Sequence, residues 1–266
     1  IIAVPTPFHA DLSPDITYVL SASRSIAPFL KPGNLVILES TSPVGTTEKV
    51  KAEIEKAGVD TSQLYFAYCP ERVLPGHVMK ELIENDRIVG GLDPISTEKV
   101  AAFYRTFVKG AVLETNARTA EMCKLTENAS RDVSIAFANE LSMICDDLGI
   151  NVWELIELAN KHPRVNILRP GTGVGGHCIA VDPWFIVAQS PEKAKIIRQA
   201  REVNNFKTKW VVEKIINTCL RFRIDHKKKP KVACLGLAFK PDIDDLRESP
   251  AVEVVEQLLA EKIDCL

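Results

Sequence analysis

Residues 35–45 read LVILESTSPVG, a short apolar run that passes into a turn rich in hydroxyl side chains. Four apolar residues that end in such a turn are typical of a buried strand of a parallel sheet, and residues 46–56 behind the turn have helical periodicity. The alternation continues on both sides, with apolar runs at 1–5, 64–68, 87–90 and 111–114 and helical patterns at 16–27 and 96–107. Strands that alternate with helices predict an α/β fold built on a parallel sheet.

The periodicity changes after residue 115. Apolar residues from Val133 to Leu148 recur at steps of three and four, which predicts a long helix that ends at Gly149. Two further helices are predicted at 151–162 and at 190–223, where a cap residue or a proline precedes each helical pattern. The middle of the chain is therefore expected to be helical.

The last part of the chain returns to the α/β pattern. An apolar run at 231–237 predicts a strand, and residues 250–259 predict a helix. One strand and one helix cannot bury both faces of a parallel sheet, so we expect the chain to stop inside a further domain, just as it begins inside the first. The expected segments are 1–115, 116–225 and 226–266.

Composition excludes several classes of protein. Hydrophobic residues make up 46% of the 266 residues and charged residues 26%, with a net charge of -2, which is ordinary for a globular protein and excludes disorder and collagen-like repeats. A balanced charge argues against nucleic acid as a partner, and no apolar run reaches the roughly 18 residues that a membrane span needs. The seven cysteines include no CxxC pair, so we expect reduced thiols in a cytoplasmic protein and no metal site.

A glycine-rich loop at residues 169–183 precedes one cysteine, Cys178. Four glycines in six residues let backbone amides approach a ligand closely, and a thiol presented there, followed by Asp182, has the features of a nucleophile. A flexible turn with an inert thiol explains the same residues as well. GxGxxG occurs at 171–176, but it follows a helix and a proline instead of a strand, so it is not a dinucleotide-binding fingerprint.

Two other patterns carry polar side chains into positions suited to a ligand. Lys124, Asn128 and Arg131 share one stripe of the predicted long helix, which suits either a polar pocket or a solvated face. The turn at 39–45 and residues 4–7 follow two strands, and ligands bind at the carboxyl ends of strands in open α/β sheets. Capping of the next helix is the alternative role for the hydroxyl groups. Charges also cluster after strands at 69–72 and 239–250.

Five of these blocks occur in an order that resembles the UDP-glucose/GDP-mannose dehydrogenase family. They are ESTSPVGT at 39–46, YCPERVLPG at 68–76, KLTEN at 124–128, GVGGHCIAVDPWF at 173–185 and GLAFKPDIDDLRESPA at 236–251. The resemblance implies three segments: the carboxyl-terminal part of an NAD-binding domain with a partial Rossmann-like parallel sheet (1–115), a central helical dimerisation domain (116–225), and the beginning of a second Rossmann-like domain that binds UDP-sugar (226–266).

The resemblance also implies roles for individual residues. Cys178 matches the nucleophile, Lys124 the general acid/base, Asp182 the acid that assists alcohol deprotonation or thioester hydrolysis, and Glu71 the glutamate associated with water activation. Substrate contacts are implied for Arg72, Val73, Asn128, Arg131, His162, Arg164, Gly175, Phe239 and Lys240. NAD contacts are implied for Thr6, Thr41 and Arg247.

The expected activity is an NAD-dependent four-electron oxidation of a UDP-sugar for surface polysaccharide synthesis, carried out by a homodimer. The sequence is most similar to the family branch that acts on UDP-N-acetyl-D-mannosamine. His177 and Val181 stand where the glucose branch commonly has Ser and Lys, which weakens an assignment to UDP-glucose. His177 lies beside the nucleophile, and a structural role is favoured for it over a lowering of the thiol pKa. UDP-glucose, UDP-N-acetylglucosamine or GDP-mannose are the alternative substrates, and a noncatalytic dimer core is the alternative from another class.

Overall fold

A computed structural model describes residues 1–73, 78–176, 178–240 and 242–266. The chain forms two compact units. The first comprises residues 1–127 and 184–190, and the second comprises 128–183 and 191–266. Within the described residues, no helix is both long and apolar enough to cross a membrane.

The first unit contains a four-stranded sheet in the order β1-β2-β3-β4. Its strands are β1 (Leu35–Leu38), β2 (Tyr65–Tyr68), β3 (Arg87–Gly91) and β4 (Val112–Asn116). β1 pairs parallel to β2, and β3 pairs parallel to β4. The predicted apolar run at residues 1–5 contributes one parallel bridge, between Ile2 and Leu38.

The α/β fold class is confirmed, and the sheet differs from the expected all-parallel arrangement at one pairing. β2 and β3 run antiparallel, with Tyr68 opposite Gly90. An antiparallel neighbour needs no crossover helix, because the chain enters β3 at the edge where β2 ended. The connection between them contains a short helix, α3 (Val78–Glu84), that the sequence pattern did not predict.

Helices pack on both faces of this sheet. They are α1 (Thr17–Ile26) with a 3-10 turn at Ala27–Phe29, α2 (Thr46–Lys56), α4 (Pro94–Tyr104) and the start of α5 (Ala117–Leu148). One face of the sheet buries Val36, Leu38, Phe66 and Tyr68 with Val19, Val50 and Ile54, and the other buries Ile37, Ala67 and Val89 with Val100, Ala101 and Tyr104. Burial on both faces explains why β1 and β2 are apolar at every position.

The second unit is mainly helical. It contains the rest of α5, α6 (Val152–Ala159), the first two residues of α7 (Asp182–Gln189), α8 (Lys195–His226), β5 (Lys231–Val232), α9 (Pro250–Ala260) and β6 (Asp264–Cys265). The predicted cap of α6 is confirmed, since the Asn151 side chain accepts hydrogen bonds from the amides of Trp153 and Glu154. β5 pairs parallel to β6.

Three predicted bounds of this unit are corrected. The strand expected at 231–237 is regular only over Lys231–Val232, where β6 supplies a partner. The helix expected from residue 190 begins at Lys195. The glycine-rich loop was expected to run to residue 183, but α7 begins at Asp182, where the amide of Asp182 already donates to the carbonyl of Cys178 as in a helical turn.

A buried polar network joins α5 to α8 within the second unit. Arg201 Nη1 donates to Asp132 Oδ1 at 2.7 Å, and Asn204 Nδ2 donates to the same oxygen at 2.8 Å. Both ionic side chains are almost completely buried, at 3% and 0% exposure. Burial raises the pKa of Asp132, and the Arg201 charge opposes that rise. The network fixes the helix pair against which the glycine-rich loop is anchored.

Candidate active site

The glycine-rich loop is tied to α5 and α8 at its beginning. The amide of Gly171 donates to Asn139 Oδ1 at 2.8 Å, and the hydroxyl of Thr208 donates to the carbonyl of Thr172 at 2.9 Å. At its other end the loop presents Cys178, which is exposed. The loop is therefore held in place by the helices while its one thiol remains accessible.

The glycines of this loop permit close packing against residues 236–250. A Cβ added at Gly175 would lie 2.6 Å from both the Phe239 Cβ and the Glu248 carbonyl oxygen. Gly176 approaches the Phe239 ring in the same way, and its amide donates to the carbonyl of Arg247 at 3.3 Å. Two of the predicted site residues, Phe239 and Arg247, are thus brought beside the loop that carries Gly175 and Cys178.

We expect Gly175→Ala to lower the free energy of unfolding by about 1–3 kcal/mol, because the new methyl group must displace backbone or the Phe239 side chain. Gly171→Ala is the matched control in the same loop, since its Cβ would have no neighbour closer than 3.8 Å. Denaturant titration of the two variants measures the difference. Equal losses of stability in both would contradict the packing described for Gly175.

Asp182 lies one helical turn after Cys178. Its amide donates to the Cys178 carbonyl at 2.9 Å, and its Oδ2 accepts a hydrogen bond from Asn128 Nδ2 at 2.5 Å. Asp182 is 4% exposed, so the carboxyl group is buried close to an exposed thiol. The structure therefore brings together Asn128, Cys178 and Asp182, as the motifs predicted.

Charged residues of the loop at 236–250 extend this site. Asp245 forms a bidentate ion pair with Arg247, in which Arg247 Nη2 lies 2.6 Å from Asp245 Oδ2. The Asp245 carboxylate raises the pKa of Arg247, and the nearby Cys178 thiol acts in the same direction. Lys240 Nζ lies 5.8 Å from the centre of the Phe239 ring. The guanidinium group of Arg247 therefore lies near the Cys178 thiol.

In the first unit, the two predicted NAD contacts meet at the carboxyl edge of β1. The hydroxyl of Thr6 donates to the Thr41 carbonyl at 2.5 Å. Ser40 Oγ accepts from the Val4 amide at 2.7 Å, which ties the same two segments together. These neutral hydroxyl and carbonyl groups fit the amide and ribose parts of a dinucleotide, at the edge where α/β sheets bind ligands.

The remaining predicted residues of the first unit follow β2 or lie on α5. Glu71 is exposed and accepts a hydrogen bond from the Val73 amide. Arg72 pairs with Glu127 at 2.9 Å. Lys124 is half-buried on α5. The unbroken α5 carries all three residues of the predicted polar stripe.

Arg131, His162 and Arg164 are exposed in the second unit. The amide of Arg164 donates to His162 Nδ1 at 3.3 Å, so these two residues form a local turn. His177, for which a role beside the nucleophile was considered, lies outside the described residues.

Glu121 and Asn139 hold the site segments in place, and neither residue was predicted from the sequence. Glu121 is buried and accepts hydrogen bonds from the amides of Gly45 and Thr47 at 2.6 and 2.8 Å. Burial raises the pKa of Glu121, and these hydrogen bonds oppose the rise. Because the Glu121 carboxylate accepts from these two amides at the start of α2, they are not available to bind a phosphate group. No local sequence pattern indicates these roles, because the partners lie far away in the sequence. They are 74 and 76 residues from Glu121 and 32 residues from Asn139.

Three sequence models of one family match successive parts of the chain. They are the NAD binding domain, the central domain and the UDP binding domain of the UDP-glucose/GDP-mannose dehydrogenase family, at residues 1–108, 118–206 and 233–266. The three matches follow the order expected from the sequence motifs.

Individual relatives agree with these matches. The chain is 60% identical to a UDP-N-acetyl-D-mannosamine dehydrogenase of Escherichia coli over 96% of the chain and 64% of that protein. It is 57% identical to an NDP-N-acetyl-D-galactosaminuronic acid dehydrogenase of Ralstonia solanacearum over 99% of the chain and 63% of that protein. A solved UDP-D-ManNAc dehydrogenase of Pyrococcus horikoshii superposes with a TM-score of 0.90 at 42% identity, over 99% of this chain and 63% of that one. The chain thus spans a little under two thirds of the length of these relatives.

Proposed function

Because the chain belongs to the UDP-glucose/GDP-mannose dehydrogenase family, we propose that it acts in the NAD-dependent oxidation of UDP-N-acetyl-D-mannosamine to UDP-N-acetyl-D-mannosaminuronate. The observation that carries the proposal is the exposed Cys178 at the end of an anchored glycine-rich loop, with the buried Asp182 one turn away and held by Asn128. A thiol and a fixed carboxyl group are what an oxidation through a covalent thioester requires.

The proposed chemistry converts a primary alcohol to a carboxylic acid in two oxidations. In the first, the sugar alcohol loses a hydride and a proton, and Lys124 and Asp182 are the groups proposed to manage that proton. The thiolate of Cys178 then adds to the aldehyde carbon while the oxygen takes a proton, giving a thiohemiacetal. Loss of a second hydride, together with that proton, gives a thioester. Water, oriented by Glu71, cleaves the thioester and releases the acid and the free thiol. The covalent bond keeps the aldehyde from escaping between the two oxidations.

NAD supplies the hydride acceptor for both oxidations when it is bound. Thr6 and Thr41 are the residues proposed to hold it, at the carboxyl edge of β1. Arg247 is the third proposed contact, with its guanidinium group oriented by Asp245.

We propose that the nucleotide sugar is bound by residues from all three segments, with domain boundaries near residues 115 and 225. The proposed contacts are Arg72, Val73, Asn128, Arg131, His162, Arg164, Gly175, Phe239 and Lys240. The packing of Gly175 against Phe239 supports this assignment for two of them. The similarity to an NDP-N-acetyl-D-galactosaminuronic acid dehydrogenase favours a nucleotide-linked N-acetylgalactosamine as the second candidate substrate.

A substrate panel tests the proposal. Formation of NADH is measured with a protein extended to the length of its relatives, using UDP-N-acetylmannosamine, UDP-N-acetylgalactosamine, UDP-N-acetylglucosamine, UDP-glucose and GDP-mannose. We expect the highest kcat/KM with UDP-N-acetylmannosamine. A higher kcat/KM with any other member of the panel would reject UDP-N-acetylmannosamine as the preferred substrate. Absence of NAD binding in calorimetry favours the noncatalytic alternative.

A homodimer is proposed through the central segment. Several large apolar side chains of α5, α6 and α8 are exposed in this unit, namely Phe137, Ile144, Trp153, Leu158 and Phe206. Exposed apolar surface of this kind is typical of an interface between subunits. We expect light scattering of the purified chain to give the mass of a dimer at micromolar concentration. A monomer mass throughout that range contradicts the proposed interface.

We propose that the enzyme works in the cytoplasm. All seven cysteines lie in the described part of the chain, and none of them forms a disulfide. Reduced thiols, including an exposed one, persist in a reducing compartment, where oxidation would not inactivate Cys178.

A further inference from the structure

A cavity of about 480 Å³ lies in the second unit, between α5, the beginning of α6, the start of the glycine-rich loop and α8. Its lining includes Ser142, Trp153, Thr172, Lys207 and Trp210. The volume falls within the range of small-molecule sites, and the mixture of aromatic walls and a few polar groups is typical of them. None of the residues assigned above to the nucleotide sugar or to NAD lines this cavity.

Lys207 places a positive charge at the cavity. The residue is only 4% exposed, and its ammonium group donates to Ser142 Oγ at 2.7 Å and lies 3.9 Å from the centre of the Trp210 ring. An ammonium group has three donors, so these contacts leave capacity for another acceptor.

The described residues provide this charge with no close counter-ion. Asp146 is the one acidic residue of the lining, and it forms its ion pair with Lys214. No carboxylate of the described residues lies within 4.0 Å of Lys207 Nζ. A buried charge is costly unless an opposite charge accompanies it, so the cavity is electrostatically suited to an anion.

We propose that this cavity binds a small oxyanion, a carboxylate or phosphate group, through the ammonium group of Lys207. The negative charge of the ligand provides the counter-ion for the Lys207 ammonium group, and the remaining atoms of the ligand contact the Trp153 side of the cavity. The site is separate from the one assigned to the oxidation. Because Thr172 belongs to the glycine-rich loop, the bound anion contacts the segment that leads to Cys178.

The proposal implies a pH dependence. Burial lowers the pKa of Lys207 to about 8, and the charge of Asp146 acts in the opposite direction. Lys214 and Asp146 are the other charged residues near the ammonium group, while the lining residues from α6 and the glycine-rich loop are uncharged. Lys207 is therefore protonated at neutral pH and loses its proton as the pH rises through 8. Anion affinity should decrease over the same interval.

The test is a titration of the chain with inorganic phosphate and, separately, with citrate at constant ionic strength. Tryptophan fluorescence and calorimetry follow binding, and sodium chloride alone controls for salt effects. Lys207→Met keeps the length of the side chain and removes the charge, and Lys209→Met, at an exposed position of the same helix, is the matched control. We expect saturable binding that weakens about tenfold or more in Lys207→Met and is unchanged in Lys209→Met.

Comparison of the two titrants identifies the preferred oxyanion. A site for phosphate groups binds phosphate more tightly than citrate, and a site for carboxylate groups binds citrate more tightly. Absence of saturable binding with both, or equal affinity in Lys207→Met and the native chain, overturns the proposal. If Lys207→Met fails to fold, the pH dependence of anion binding to the native chain tests the proposal instead. An affinity that does not fall between pH 7 and pH 9 excludes Lys207 as the anion ligand. None of these measurements depends on dehydrogenase activity.

Discussion

Cys178→Ser is expected to abolish formation of the uronic acid, with a loss of roughly a thousandfold or more in turnover. A serine hydroxyl is far harder to deprotonate than a thiol near neutral pH, so neither the covalent adduct nor the thioester forms. The structural basis is the exposure of this thiol at the end of a loop that α5 and α8 hold in place. The measurement is uronate production from UDP-N-acetylmannosamine in a protein extended to the length of its relatives.

Cys265→Ser is the control for this experiment, because Cys265 likewise forms no disulfide and belongs to β6, which carries none of the proposed site residues. It is expected to retain the native rate. Uronate production by Cys178→Ser at a rate close to that of the control would mean that Cys178 is not the nucleophile.

Asp132→Ala is expected to have the largest effect on stability, a loss of about 3–5 kcal/mol in the free energy of unfolding. The substitution leaves the Arg201 guanidinium buried without its carboxylate, and it removes an acceptor from Asn204. Uncompensated burial of a charge is the physical cause. Denaturant unfolding of the purified chain measures the loss.

Asp146→Ala provides the comparison on the same helix. Asp146 also pairs with a basic residue of α8, Lys214, but these side chains are 34% and 47% exposed. Exposed ion pairs contribute about 0–1 kcal/mol, so this variant should be nearly as stable as the native chain. Equal losses in the two variants would show that burial does not determine the contribution of these pairs.

Local sequence patterns predicted the elements that depend on local physics. The apolar run of β1 and the helix behind it are where the pattern places them, with α2 spanning Thr46–Lys56 as expected. The three- and four-residue repeat from Val133 to Leu148 likewise predicted where α5 ends, at Leu148. These elements bury regular faces, so their periodicity is visible in the sequence.

Other features depend on contacts that no local pattern encodes. The antiparallel pairing of β2 and β3 is set by where the chain re-enters the sheet. The helix α7 (Asp182–Gln189) was not predicted, because glycines and a proline dominate the sequence around its start. Prediction of tertiary partners, such as Asp132 and Arg201 69 residues apart, needs the fold itself.

The same distinction between local patterns and tertiary contacts applies to the candidate site. The motifs nominated Cys178, Asp182 and Asn128, and the second unit brings these three together. The groups that hold the site segments, such as Asn139 at the start of the glycine-rich loop, came only from the structure. Chemistry-bearing residues stand out by type and spacing, whereas supporting residues are ordinary polar residues until their partners are known.

The central claim is that one enzyme removes two hydrides from the same sugar through a thioester on Cys178. It is tested most directly by counting the NADH formed per molecule of UDP-N-acetylmannosamine consumed, in a protein extended to the length of its relatives and with the sugar limiting. We expect two molecules of NADH for each sugar and no free aldehyde, because both oxidations are completed before release. One molecule of NADH per sugar, with the aldehyde released into solution, would contradict it.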